Sequence, residues 1–133
     1  MLWRKIIGYW KTILIAAIIL YASLIREPQI ILTTVEHGDK WSHLLAYTLL
    51  GTAAWHDTIR HTVRRWIRLF IALLLPIAYG GAIEIAQHLW FYPRTGDWID
   101  WIVDCIGVFI GCFIAHLIPS TINSNINNDS GVA

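Results

Sequence analysis

The sequence predicts an all-α, polytopic membrane protein: a four-transmembrane-helix bundle with both termini in the cytoplasm (N-in, C-in). Three observations carry this expectation. Four apolar segments recur along the chain, separated by short polar stretches. Hydrophobic residues make up 56% of the chain and charged residues only 14%, whereas a soluble domain is about a quarter charged. Lysine and arginine are divided unequally between alternate ends of the segments. Eight tryptophans in 133 residues fit the same class, because the indole ring settles at the headgroup level of a bilayer.

The first segment, Ile6–Ile25, is interrupted by Lys11, which can snorkel to the near interface. Arg4 and Lys5 precede it as in a signal peptide, but no small-x-small cleavage site follows and three more apolar segments do, so it reads as a retained helix. The loop Arg26–Lys40 is mixed in character and suits a short turn or the outer interface. The second segment, Trp41–Trp55, is short against the ~20 residues a span needs; tryptophan at both ends and polar flanks extend it. The third, Trp66–Tyr92, holds Pro76 mid-span with Gly80 and Gly81 beyond, which predicts a kink. The fourth is Trp98–Ile118. Residues 1–118 thus form one membrane domain, and 119–133, rich in Asn and Ser, read as a disordered polar cytoplasmic tail.

Orientation follows from counting cations. Arg4, Lys5, Lys11, Arg60, Arg64, Arg65 and Arg68 fall on one side; Arg26, Lys40 and Arg94 fall on the other. The positive-inside rule places the first set in the cytoplasm. The spacing of Arg60, Arg64 and Arg68 suggests a basic helical extension on the headgroups, or simply a topology anchor. Cys105 and Cys112 are seven residues apart, about 10.5 Å along a helix, too far for a disulfide. They read as small packing residues.

Polar residues inside apolar runs are expensive and mark function. Lys40, His43 and Tyr47 share one face of the second segment, behind Asp39. Glu84 and Gln87 lie near the outer end of the third, beside His88. Arg94 lies in the third loop, and Asp97, Asp100 and Asp104 follow one face of the fourth segment. At 1.5 Å per residue, Tyr47 and Asp104 lie roughly 9 Å and Glu84 roughly 12 Å below the outer surface, so three helices deliver polar groups to one level. Five acids (Asp39, Glu84, Asp97, Asp100 and Asp104) face Lys40, Arg94 and His43. Such a surplus in a partly desolvated pocket calls for protonated carboxyls or a bound cation. No spacing is a recognised metal motif, so the expectation is no cofactor, with a divalent cation as the lesser alternative. Gly107 and Gly111 continue the Asp100–Asp104 face as a small-xxx-small pair, and Gly51 continues the His43–Tyr47 face; these predict close helix packing beneath the pocket.

Three blocks, in this order, resemble the VanZ-like (teicoplanin-resistance) membrane protein family: Asp39-Lys40-Trp41-Ser42-His43 with Tyr47 and Gly51; Tyr79-Gly80 with Glu84 and Gln87; and Pro93-Arg94-Thr95 through Asp100, Asp104, Gly107 and Gly111. They span residues 39–111. Asp104 departs from the pattern, standing where the family usually has Asn, and adds a negative charge. The resemblance implies a four-helix protein of the bacterial cytoplasmic (inner) membrane and, for the founding member, lowered sensitivity to a lipid-anchored glycopeptide antibiotic.

Three functional readings follow. The first is a protein whose outward pocket, formed by Asp39, Lys40, His43, Tyr47, Glu84, Gln87, Arg94, Asp100 and Asp104, binds or modulates an envelope lipid, a lipid-linked wall precursor or the antibiotic. In this reading Lys40 and Arg94 would hold a phosphate or carboxylate. The second is an outer-leaflet hydrolase or transferase acting on a lipid-linked or phosphorylated substrate, with His43 or Glu84 as general base; no nucleophile is marked, so catalytic residues are unassigned. The third is an ion-pair network that only fixes helix order. Nothing in the sequence points to nucleic acid or to a particular oligomer.

Overall fold

The computed structural model describes residues 8–24, 38–61, 64–90 and 96–118. They form four helices, with no strand among the described residues: α1 (Trp10–Leu24), α2 (Gly38–Arg60), α3 (Arg65–Trp90) and α4 (Trp98–Leu117). α3 and α4 are long and apolar enough to cross a membrane. α1 is apolar but has 15 residues. Most of the first loop and the whole 119–133 tail lie outside the described residues.

α2 is longer than Trp41–Trp55: its helix runs 23 residues, about 34 Å. The flanks that interrupt the hydrophobic pattern are themselves helical. Asp39 in the first turn and Arg60 in the last complement the helix dipole, and Asp57 and Thr58 are buried rather than solvated. Arg60, Arg64 and Arg68 do not share a helical face. α2 ends at Arg60, and Arg64 is extended (φ −57°, ψ 146°) before α3 begins, because the chain must reverse there. Arg68 instead lies over the Trp55 ring, 5.8 Å from its centroid.

Pro76 is accommodated within α3. The turn just before it, Phe70–Leu74, is π-helical. Pro76 has no N–H for the carbonyl four residues back, that of Ala72, and the Cys112 thiol of α4 donates to that carbonyl at 3.2 Å. Cys105 and Cys112 are both free thiols.

The most extensive interface joins α2 to α4. The two helices run parallel, since their partners keep a nearly constant offset: Lys40 with Asp100, His43 with Asp104, Gly51 with Cys112, Thr52 with Gly111. Glycines make the approach possible. A Cβ on Gly107 would sit 2.8 Å from the Leu44 carbonyl oxygen, one on Gly51 2.7 Å from that of Val108, and one on Gly111 would strike the Thr48 carbonyl. α1 and α3 run opposite to this pair. The Tyr79 hydroxyl donates to the Ala16 carbonyl at 2.6 Å, and the Gln87 amide to that of Ser23 at 2.8 Å.

Large apolar side chains face outward along all four helices, among them Ile18, Leu45, Leu74, Phe109 and Phe113. Trp10, Trp41, Trp66, Trp90 and Trp98 are exposed at helix ends. The interior combines small and apolar residues (Ala54, Ala72, Val108, Leu50) with Asp57, Glu84, Gln87, Asp100 and Asp104.

Candidate functional site

The polar groups gather where α2 and α4 begin and α3 ends. Lys40 Nζ donates to Asp100 Oδ1 at 3.0 Å and lies 3.6 Å from Asp97 Oδ2. One turn deeper, His43 Nδ1 is 2.9 Å from Asp104 Oδ1. The Tyr47 ring lies parallel to that of His43, with centroids 6.5 Å apart, and is 2% exposed. Its hydroxyl and Asp104 Oδ2 both crowd Gly80 of α3: a Cβ there would lie 3.2 Å from the hydroxyl and 2.9 Å from Oδ2. Any side chain at position 80 would displace the carboxylate.

Asp97 starts α4 and ties the helix ends together. Its side chain accepts from the Ile99 N–H at 2.9 Å, as an N-cap. Its own N–H donates to Glu84 Oε2 at 2.9 Å, which fixes the Glu84 carboxyl against the start of α4. The preceding Gly96 passes so close to α3 that a Cβ would collide with the Glu84 carbonyl oxygen.

The structure therefore brings together Lys40, His43, Tyr47, Glu84, Asp100 and Asp104. Asp39 is exposed at the rim, with a carboxylate oxygen within 4.8 Å of ligand atoms on His43 and Asp100. Gln87 is buried but directed to the α1 backbone, so it fastens a helix. Arg94 lies outside the described residues. Lys40 is engaged by two carboxylates, which leaves it poorly placed for the anion-holding role assigned from sequence. Among the described residues the cluster is acidic: Asp39, Glu84, Asp97, Asp100 and Asp104 surround Lys40 and His43.

Sequence reasoning missed Asp57, near the opposite end of the bundle. It is 1% exposed, and its Oδ2 accepts from the Thr12 N–H at 3.2 Å and the Thr12 hydroxyl at 2.9 Å. It caps the first turn of α1 from another helix, satisfying an N–H that has no partner within α1. Its mark in the sequence is faint: an acid just past Trp55, in a polar flank that reads as an interfacial end.

No family model matches the chain, and neither a curated protein nor a solved structure matches it. Fold and site define its class: a helical protein with four helices among the described residues, apolar outside, with a buried carboxylate–imidazole cluster at one end.

Proposed function

We propose that the chain is a multi-pass protein of the bacterial cytoplasmic membrane, VanZ-like, crossing four times with N-in, C-in topology. Its outward pocket binds a cell-envelope lipid, a lipid-linked wall precursor or a glycopeptide antibiotic. The apolar exterior and the tryptophans at helix ends support the membrane placement. The alternating helix directions are compatible with four successive crossings.

One observation carries the binding reading. Glu84, Asp100 and Asp104 are each less than a tenth exposed, come from two helices, and sit beside His43 of a third. Burying that many carboxylates is costly, and an ion-pair network that served only helix order would be expected to balance its charges. With Lys40 held by Asp97 and Asp100, the surplus suits an amine or sugar hydroxyls better than a phosphate. Binding is favoured over catalysis because Ser42, beside the cluster in sequence, donates its hydroxyl to the Gly38 carbonyl at 2.8 Å within its own helix.

The test pairs folded abundance with ligand retention. Glu84→Gln and Asp100→Asn should accumulate in the membrane like the wild type while losing retention of a lipid-linked wall precursor or of teicoplanin in nanodiscs. Collapse of abundance in both variants would mean that the cluster is structural. Turnover of the precursor, detected by mass spectrometry, would replace binding with catalysis. A C-terminal reporter active only outside the cytoplasm should be silent; activity would invert the pocket.

A further inference from the structure

We propose that His43, Glu84 and Asp104 form a site for one divalent first-row transition cation, Zn²⁺ or Mn²⁺. One ring nitrogen of His43 and one carboxylate oxygen each of Glu84 and Asp104 lie within 4.8 Å of one another. Ligands bound at about 2.1 Å in a tetrahedral site lie ~3.4 Å apart, so a pair at the 4.8 Å limit closes by up to ~1.4 Å. Side-chain rotations supply that.

A second observation is independent of the clustering. Asp104 is 0% exposed, yet among the described residues its Oδ2 has no hydrogen-bond partner. Its other oxygen, Oδ1, lies 2.9 Å from His43 Nδ1, a spacing that two ligands of one ion can share. A buried carboxylate oxygen without a donor is uncommon and costly, and a cation satisfies it.

Charge and ligand type agree. Lys40 is committed to Asp97 and Asp100, so among the described residues His43 is the basic group in contact with Asp104. A divalent ion would balance the two inner carboxylates. An imidazole with carboxylates suits Zn²⁺ or Mn²⁺, whereas an all-oxygen set would suit Mg²⁺ or Ca²⁺. Asp39, His43 and Asp100 form a second triad at the same spacing, with Asp39 exposed, which provides an entry route from the rim. The three inner ligands come from α2, α3 and α4, so the ion would also clamp three helices. The inference does not depend on which envelope molecule the pocket takes.

The test uses the full chain in nanodiscs, stripped with chelator, equilibrated with Zn²⁺ or Mn²⁺ alone, desalted, and measured for metal content. About one ion per chain is expected, with X-ray absorption showing one imidazole ligand and a thermal midpoint raised by the metal. His43→Gln, Asp104→Asn and Glu84→Gln should each weaken retention at least tenfold. Asp57→Asn, at the other end of the bundle, should retain the wild-type amount. Helicity and elution volume identify the folded variants, and the comparison needs only one of the three. The proposal is overturned if the wild type keeps less than about a tenth of an equivalent, or if every folded ligand variant keeps as much as Asp57→Asn.

Discussion

The parallel seam between α2 and α4 makes a sharp prediction for Gly107→Ala. The new Cβ would lie 2.8 Å from the Leu44 carbonyl oxygen and 3.1 Å from both the Thr48 nitrogen and Tyr47 Cβ, where ordinary contacts begin at 3.4 Å. The nearest obstacle is helix backbone, which cannot rotate aside, so α2 must withdraw by about 0.6 Å or the methyl stays compressed; such overpacking costs about 1–3 kcal/mol. The same withdrawal stretches the contacts above the seam, Lys40–Asp100 at 3.0 Å and His43–Asp104 at 2.9 Å, to the edge of hydrogen-bonding distance. Gly111→Ala should be worse, because its Cβ would strike the Thr48 carbonyl more closely. Thermal unfolding of the purified protein in nanodiscs measures the effect, with Ile106→Leu on the exposed face of α4 as the control. Midpoints lowered in the order Gly111→Ala, then Gly107→Ala, with the control unchanged, are expected. If both glycine variants matched the wild type, the close approach would be wrong.

Tyr79→Phe removes the 2.6 Å hydrogen bond to the Ala16 carbonyl and should cost about 0.5–1.5 kcal/mol, seen as a lower unfolding midpoint with ligand and metal retention intact. Asp57→Ala removes the cap on α1 and both Thr12 contacts, for about 1–2 kcal/mol; proteolysis at the α1 end should increase, and Asp57→Asn should restore most of the protection. Lys40→Met leaves the buried Asp100 without its cation and should destabilise more than the double variant Lys40→Met/Asp100→Asn. A double variant as damaged as the two single changes added together would show that the pair is not coupled.

The helices were legible because hydrophobic segments of the right length leave few alternatives, and the common level of three polar side chains followed from rise per residue alone. Tyr47, Glu84 and Asp104, placed at one level by counting from three different helix ends, do converge around His43 and Gly80. Side-chain direction was not legible. Glu84 and Gln87 lie three residues apart on one helix, yet one meets the start of α4 and the other the backbone of α1; which neighbour lies on which side is a tertiary fact. Polar flanks were expected to prolong α2, but nothing in the pattern marked Asp57 and Thr58 within them as buried. The π-helical turn before Pro76 was invisible because its relief comes from Cys112, 40 positions away.

α1 packs Ile15, Ala16 and Ile19 into the core, but most of its hydrogen bonds to the other helices run through its main chain. Tyr79 and Gln87 bond to the carbonyls of Ala16 and Ser23, and Asp57 accepts from the N–H of Thr12 as well as from its hydroxyl. Carbonyls and amides are the same in every residue but proline, so these attachments hardly read the spelling of α1. The first helix is an exchangeable part: a differently worded apolar helix of equal length could dock on the same donors. The polar cluster is built from side chains of α2, α3 and α4 and has no such latitude: one helix docks by backbone, and three by the identity of their side chains.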